Sequence, residues 1–195
     1  MAQPNSPASS NLWSFLNYLF ANQNNLLVGG FPGNTWYVDT VNGNISSTDG
    51  NTWGTAYATV AQALASSKLQ SGDRIFLRGN IKEQVTAPAQ IFDLSFIGVP
   101  INPRNSDAVT GYFAQTSCTW RPPASPTAAT PLISVLRQGY TFENILFGPG
   151  VTDAASVKLN RNALSDASEQ DASHATFKNC RFTGGNTGIE DAGGC

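Results

Sequence analysis

The sequence predicts an all-β chain wound as a solenoid, with one short helix at its N-terminus and a second helix closing the end of the stack. Three observations predict it. The first is composition: 11 Lys and Arg and 13 Asp and Glu make the 195 residues only 12% charged, while 41% are hydrophobic and Gly and Asn each occur 18 times. Asn and Gly tolerate the left-handed backbone of tight turns. The second is an internal repeat. Phe142-Glu143-Asn144-Ile145-Leu146-Phe147-Gly148-Pro149-Gly150 matches Phe177-Lys178-Asn179-Cys180-Arg181-Phe182-Thr183-Gly184-Gly185 as F-x-N-x-x-F-x-x-G, 35 residues on. Solenoids repeat because each turn of chain buries its inner face only against its neighbours, so Phe stacks inside and Asn at the bend. The third is the 19-residue step from Leu77 to Phe96, near the length of one turn of such a stack.

Composition also excludes functions. A net charge of −2 with 41% hydrophobic residues is not a disordered chain. Eleven scattered basic residues do not make a phosphate-binding surface, so nucleic acid is excluded as a partner. No apolar run reaches the ~18 residues of a membrane span.

In chain order, residues 1–10 form a polar lead-in, and Ser10 or Asn11 caps a short helix. Leu12, Phe15, Leu16 and Leu19 lie on one face of that helix, and Trp13 and Phe20 widen it. The helix ends at residues 22–25, and Gly29-Gly30 with Phe31-Pro32-Gly33 reads as a linker. So short a helix needs its face covered. Packing on its own domain and docking to another chain stand as equal alternatives. The predicted organisation is therefore an anchor and linker over 1–34 and the stack over 35–195.

Trp36 to Asp39 reads as a strand, and Asn42-Gly43 and Asp49-Gly50 as turns. Thr59 and Gln62 form a capping box, with Val60, Ala61, Leu64 and Ala65 as the apolar face of the helix that follows. Arg74 to Gly79 alternates with Ile75 and Leu77 inside, which leaves Arg74 and Arg78 as exterior charges, with contact to an anionic sugar as the alternative. Leu94 to Gly98 and Leu132 to Leu136 are further strands. Residues 100–131, with six prolines, and 153–174 are expected insertions. Residues 182–195 read as the start of a further turn without a terminal cap, so Cys195 is not expected to be the natural end.

The order Tyr37-Val38-Asp39, Asn42-Gly43, Asp49-Gly50, Trp53-Gly54-Thr55-Ala56-Tyr57-Ala58-Thr59, an Ala-rich helix, then Gly72-Asp73-Arg74-Ile75-Phe76-Leu77 resembles the N-terminal entry of pectin-lyase-like right-handed parallel β-helix proteins. It covers about residues 35–99. The family's usual Pro-Gly after the first strand is here Arg78-Gly79-Asn80. The resemblance implies a right-handed parallel β-helix whose end is closed by a strand and an amphipathic helix.

Candidate chemistry is thin. Glu190 and Asp191 are adjacent and face opposite sides on a strand, whereas glycan cleavage needs two carboxyls at a set separation. Asp166, Glu169 and Asp171 cluster in sequence with His174, the single histidine, and read as solvated. Asn42, Asn44 and Asp49 offer too few carboxylates for calcium. Cys118, Cys180 and Cys195 show no metal spacing and read as buried, reduced thiols. The sequence therefore assigns no catalytic, cofactor-binding or metal-ligating residue within 1–195.

Proteins of the resembled fold include secreted polysaccharide lyases and hydrolases, surface adhesins, and phage tailspikes or other virion appendages. No cation precedes residues 12–21, so a secretory signal is not expected. That favours a structural protein of a bacteriophage particle, of tailspike or tail-fibre type and homotrimeric, assembled in the host cytoplasm. Leu12, Trp13, Phe15, Leu16, Leu19 and Phe20 would dock to other tail or capsid proteins. The β-helix shaft would serve recognition of a host surface polysaccharide. The alternatives are a β-helix polysaccharide lyase or glycoside hydrolase outside any virion, and a capsid decoration protein.

Overall fold

A computed structural model describes residues 33–99, 118–148, 154–160, 172–183 and 187–192. The N-terminal helix and the docking residues expected on it, Leu12, Trp13, Phe15, Leu16, Leu19 and Phe20, lie outside these. The chain divides into two units, 1–33 and 34–195, and the second carries every element below.

This unit is mostly strand with very little helix. Among the described residues, thirteen short strands form three parallel sheets. The first sheet holds β1 (Thr35–Asp39), β2 (Arg74–Arg78), β5 (Ser95–Val99), β8 (Thr141–Glu143) and β11 (Thr176–Lys178), in that order. The second holds β3 (Asn80–Lys82), β6 (Cys118–Arg121), β9 (Ile145–Phe147) and β12 (Arg181–Phe182). The third holds β4 (Val85–Thr86), β7 (Ile133–Val135), β10 (Val157–Leu159) and β13 (Ile189–Asp191). From β2 onward the chain visits the three sheets in the same order, and each visit lays one strand beside the last.

Inward side chains fall in columns. Ile75, Phe96, Phe142 and Phe177 are cross-strand partners in the first sheet. Phe96 and Phe142 stack with ring centroids 5.4 Å apart, and Phe142 and Phe177 at 5.1 Å. In the second sheet Trp120, Phe147 and Phe182 stack at 6.0 and 5.0 Å. Ile133, Val157 and Ile189 align in the third. Offset stacking adds to the area these rings bury.

The 35-residue repeat is thus a true structural register, pairing Phe142 with Phe177 and Phe147 with Phe182. Other expectations are corrected. Phe96 lies over Ile75, 21 residues away, and Leu77 aligns with Gly98. A β-carbon at Gly98 would stand 2.1 Å from the Asn144 carbonyl oxygen, so the column needs glycine there. Residues 118–121, read as insertion, are β6, and Trp120 is fully buried. Residues 157–159, also read as insertion, are β10 in the third sheet.

Left-handed backbone recurs at corresponding corners of the circuits. One residue with positive φ stands two places before each of β2, β5, β8 and β11: Gly72, Asp93, Gly139 and His174. Another directly follows β2, β8 and β11: Gly79, Asn144 and Asn179. Gly, Asn and Asp meet this demand at little cost; His meets it less readily.

Candidate functional site

The polar chemistry of this unit concentrates where the stack begins. A bare β1 would present an unpaired edge. Instead Tyr57 runs beside it: the Asp39 amide donates to the Tyr57 carbonyl at 2.9 Å, and the Tyr57 amide to the Tyr37 carbonyl at 2.9 Å. Helix α1 (Val60–Leu64) then buries Val60, Ala63 and Leu64 against the same core as Trp36 and Val38. Ala61 and Ala65, expected on the buried face, are exposed. Five residues are too few for the full stripe, and the helix touches the core along one line only.

Thr59 caps α1, its hydroxyl oxygen accepting from the Gln62 amide at 3.1 Å. The reciprocal half of the expected capping box is displaced by one residue, because Gln62 Oε1 accepts from Ala58 N, not Thr59 N. Gln62 Nε2 reaches the carbonyls of Asn44, Ile45 and Ser47, which ties the helix to the long entry loop. Glu83, at the corner after β3, completes the cap: its two carboxylate oxygens accept from the amides of Val60 and Ala61, each at 2.9 Å.

Two carboxylates are fully buried here. Asp73 accepts from Asn34 N and Trp36 Nε1 at 2.6 Å each and from Gln70 N at 2.8 Å. Asp39 accepts from Val41 N, Asn42 N, Asn42 Nδ2 and the Arg78 guanidinium, whose Nε lies 3.0 Å from Oδ2. Burial alone raises the pKa of Asp39. The Arg78 contact and the bonds from Val41 and Asn42 outweigh it and hold the carboxyl below its ordinary value. Arg78 also lies over the Trp53 ring, 4.3 Å from its centroid. Arg78 is therefore not the free exterior charge that strand alternation predicts, but a clamp joining β1, β2 and the entry loop.

The remaining candidates separate. Glu190 pairs with Lys158 at 3.2 Å on the outer face of the third sheet. Asp191 aligns with Leu159, on the opposite face. His174 is exposed, with Nδ1 3.1 Å from Ser173 Oγ, and holds the left-handed corner before β11. Asp166, Glu169 and Asp171 lie outside the described residues. Asn44 Oδ1 accepts from Ser46 N within its turn, and Asp49 faces Lys68 at 3.6 Å. Among the described residues no group of three or more His, Cys, Asp or Glu is placed to hold a metal ion. Likewise, no described helix is long and apolar enough to cross a membrane.

Cys118 is fully buried, and burial pushes its thiol up to about 12. Cys180 is half-buried and is also raised. Burial is the main cause, Glu143 adds to it, and hydrogen bonding with the Ile145 and Lys178 backbone opposes it. Cys195 lies outside the described residues. Among the described residues, an open cleft of about 730 Å³ is lined by Asn34, Trp36, Asp49, Asn51, Lys68 and Gln70.

Reading the sequence missed Asp39, Asp73 and Glu83 as structural acids. Asp39 did leave a signal, since an acid ending an apolar strand three residues before Asn42-Gly43 is an Asx-turn pattern. Nothing in sequence links Glu83 to a helix 23 residues earlier. No family model matches the chain, and comparisons with curated proteins and with solved structures found no match.

Proposed function

We propose that this chain belongs to a bacteriophage virion appendage of tailspike or tail-fibre type. Residues 1–34 attach it to the particle, and the remainder begins a right-handed parallel β-helix shaft. The observation carrying this reading is the use made of the polar side chains at the entry. Asp39, Asp73, Glu83, Gln62 and Arg78 are all spent on closing and tying down one end of a strand stack. Three sheets visited in rotation support a β-helix, and parallel crossovers are right-handed in about 98% of cases. At the opposite end β11, β12 and β13 are edge strands. There Phe177 and Phe182 are only partly buried and Ile189 is 39% exposed.

The expected assembly is a homotrimer on a phage particle, with the shaft directed at a host surface polysaccharide. Sedimenting purified particles with and without residues 1–30 of this chain tests the attachment. Co-migration of the intact chain and loss of the truncated one are expected. Incorporation of the truncated chain would overturn the anchor. A non-sedimenting chain that depolymerises a polysaccharide would instead identify a free β-helix lyase or hydrolase.

A further inference from the structure

Of the 18 asparagines in the chain, Asn42 alone is followed by glycine. Asn-Gly is a reactive pair in water, because a glycine nitrogen, unshielded by a side chain, can reach the side-chain amide carbon before it. The fold admits no substitute for this glycine. A β-carbon at position 43 would stand 2.3 Å from the Tyr57 carbonyl oxygen, 2.4 Å from that of Asp39 and 2.7 Å from Ala58 Cα. All three are backbone atoms, and Tyr57 is the residue that pairs along β1. The close packing that covers the β1 edge therefore also creates the Asn-Gly pair.

The same packing holds the pair unreactive. Gly43 N, the attacking nitrogen, donates to the Asp39 carbonyl at 2.8 Å. Asn42 Nδ2, the leaving group, donates to Asp39 Oδ2 at 3.3 Å, and Asn42 N donates to Oδ1 at 3.2 Å. Nucleophile and leaving group are thus both tied to Asp39, one through its backbone and the other through its carboxylate. Arg78 fixes that carboxylate in turn. Asn42 is nonetheless exposed, so water reaches it once these bonds let go.

We infer that Asn42 is a latched deamidation site: opening the Asp39–Arg78 clamp releases it, and its conversion keeps the entry from closing again. In the step, Gly43 N gives up its proton and bonds to Asn42 Cγ. The Cγ–Nδ2 bond breaks and the nitrogen leaves as ammonia. Water then opens the five-membered imide at either carbonyl, giving aspartate or isoaspartate, and is the only co-reactant. Either product sets a carboxylate in place of an amide donor against the buried Asp39 carboxylate, a like-charge contact. Isoaspartate also lengthens the backbone by one carbon beside Gly43, where not even a β-carbon fits. A chain whose entry stays closed is preserved, and one whose entry has stood open is permanently marked. The inference goes beyond the virion reading and does not require it.

Incubating the 195-residue chain at mildly alkaline pH tests it, in buffer, in a series of sub-denaturing urea concentrations and in fully denaturing urea. Peptide mapping by mass spectrometry then resolves amide, aspartate and isoaspartate at residue 42. Asn42 is expected to convert ten-fold or more slowly in the native chain than in the unfolded one. Its rate should rise with urea before the global unfolding transition, because the entry opens locally. Arg78→Ala should speed conversion several-fold while circular dichroism still shows a folded chain; if that variant does not fold, the urea series decides. Asn42→Asp, which stands in for the product, should lower Tm. Native conversion at the unfolded rate, a rate that rises only with global unfolding, or an unchanged Tm for Asn42→Asp would overturn the proposal.

Discussion

Asn179 donates its side-chain amide to Asn144 Oδ1 at 2.6 Å across 35 residues of sequence, and both residues hold positive φ, 50° and 56°. Each therefore satisfies a left-handed corner and at the same time links one layer of strands to the next. Asn144→Gly keeps the corner and loses the bond, at an expected cost of about 1 kcal/mol. Asn144→Ala loses both, at about 2–3 kcal/mol. Urea unfolding of the two variants reads the difference. Equal losses would remove the backbone from the explanation.

Asp39 and Arg78 give the entry an acid-sensitive lock. The folded pKa of Asp39 lies below its ordinary 3.8, so its contribution is fully present above that value and falls away as pH drops through the folded pKa. Stability measured from pH 6 down to pH 2 should decline more steeply below about pH 4 in the wild type than in Asp39→Asn. Arg78→Ala leaves a buried carboxylate without its cation and should cost about 2–4 kcal/mol. A wild-type acid limb no steeper than that of Asp39→Asn would contradict this assignment.

The two described cysteines should differ in reactivity. Cys118 is fully buried with its thiol raised to about 12, whereas Cys180 is half-buried. Thiolate is the reacting form, so both should be slow at pH 8, with Cys118 slower. Residue-resolved mass spectrometry after alkylation of native protein should find Cys118 modified only once the chain unfolds. Modification of Cys118 at the rate of Cys180 would argue against its place in the core.

His174 should be replaceable. It occupies the left-handed corner that Gly72 and Gly139 fill in other layers, so His174→Gly should be neutral or stabilising by up to about 1 kcal/mol. Gly139→Ala goes the other way. Its φ is 80°, and the new β-carbon would stand 1.7 Å from Asp93 Oδ1. Thermal unfolding of the two variants should therefore shift in opposite directions or in one direction only for Gly139→Ala.

Much of the architecture was legible because it is local or repetitive. Alternation in Arg74–Arg78 placed Ile75 and Leu77 inside, and the repeated F-x-N motif carried both the aromatic columns and the Asn corner. What stayed hidden depends on contacts between distant positions. Strand β6 was concealed by its proline-rich surroundings, since four residues leave little periodicity to read. Arg78 looked like an exterior charge because strand alternation says which side a residue takes, not that Asp39 waits there. The step of 19 residues misjudged the layer by two, because Gly98 rather than a bulky residue faces Leu77.

Register between layers defines the strand stack, and cross-linking reads it directly. Thr141 and Thr176 are outward-facing partners on neighbouring parallel strands, while Lys178 stands two residues farther along. At a strand spacing of about 4.8 Å, two cysteines placed at aligned positions lie within disulfide range. In a background with Cys118, Cys180 and Cys195 changed to Ala, the pair Thr141→Cys/Thr176→Cys should cross-link under mild oxidation and raise Tm. The pair Thr141→Cys/Lys178→Cys should stay reduced. Preferential closure of the offset pair, or no closure of the aligned one in folded protein, would contradict the stacked arrangement.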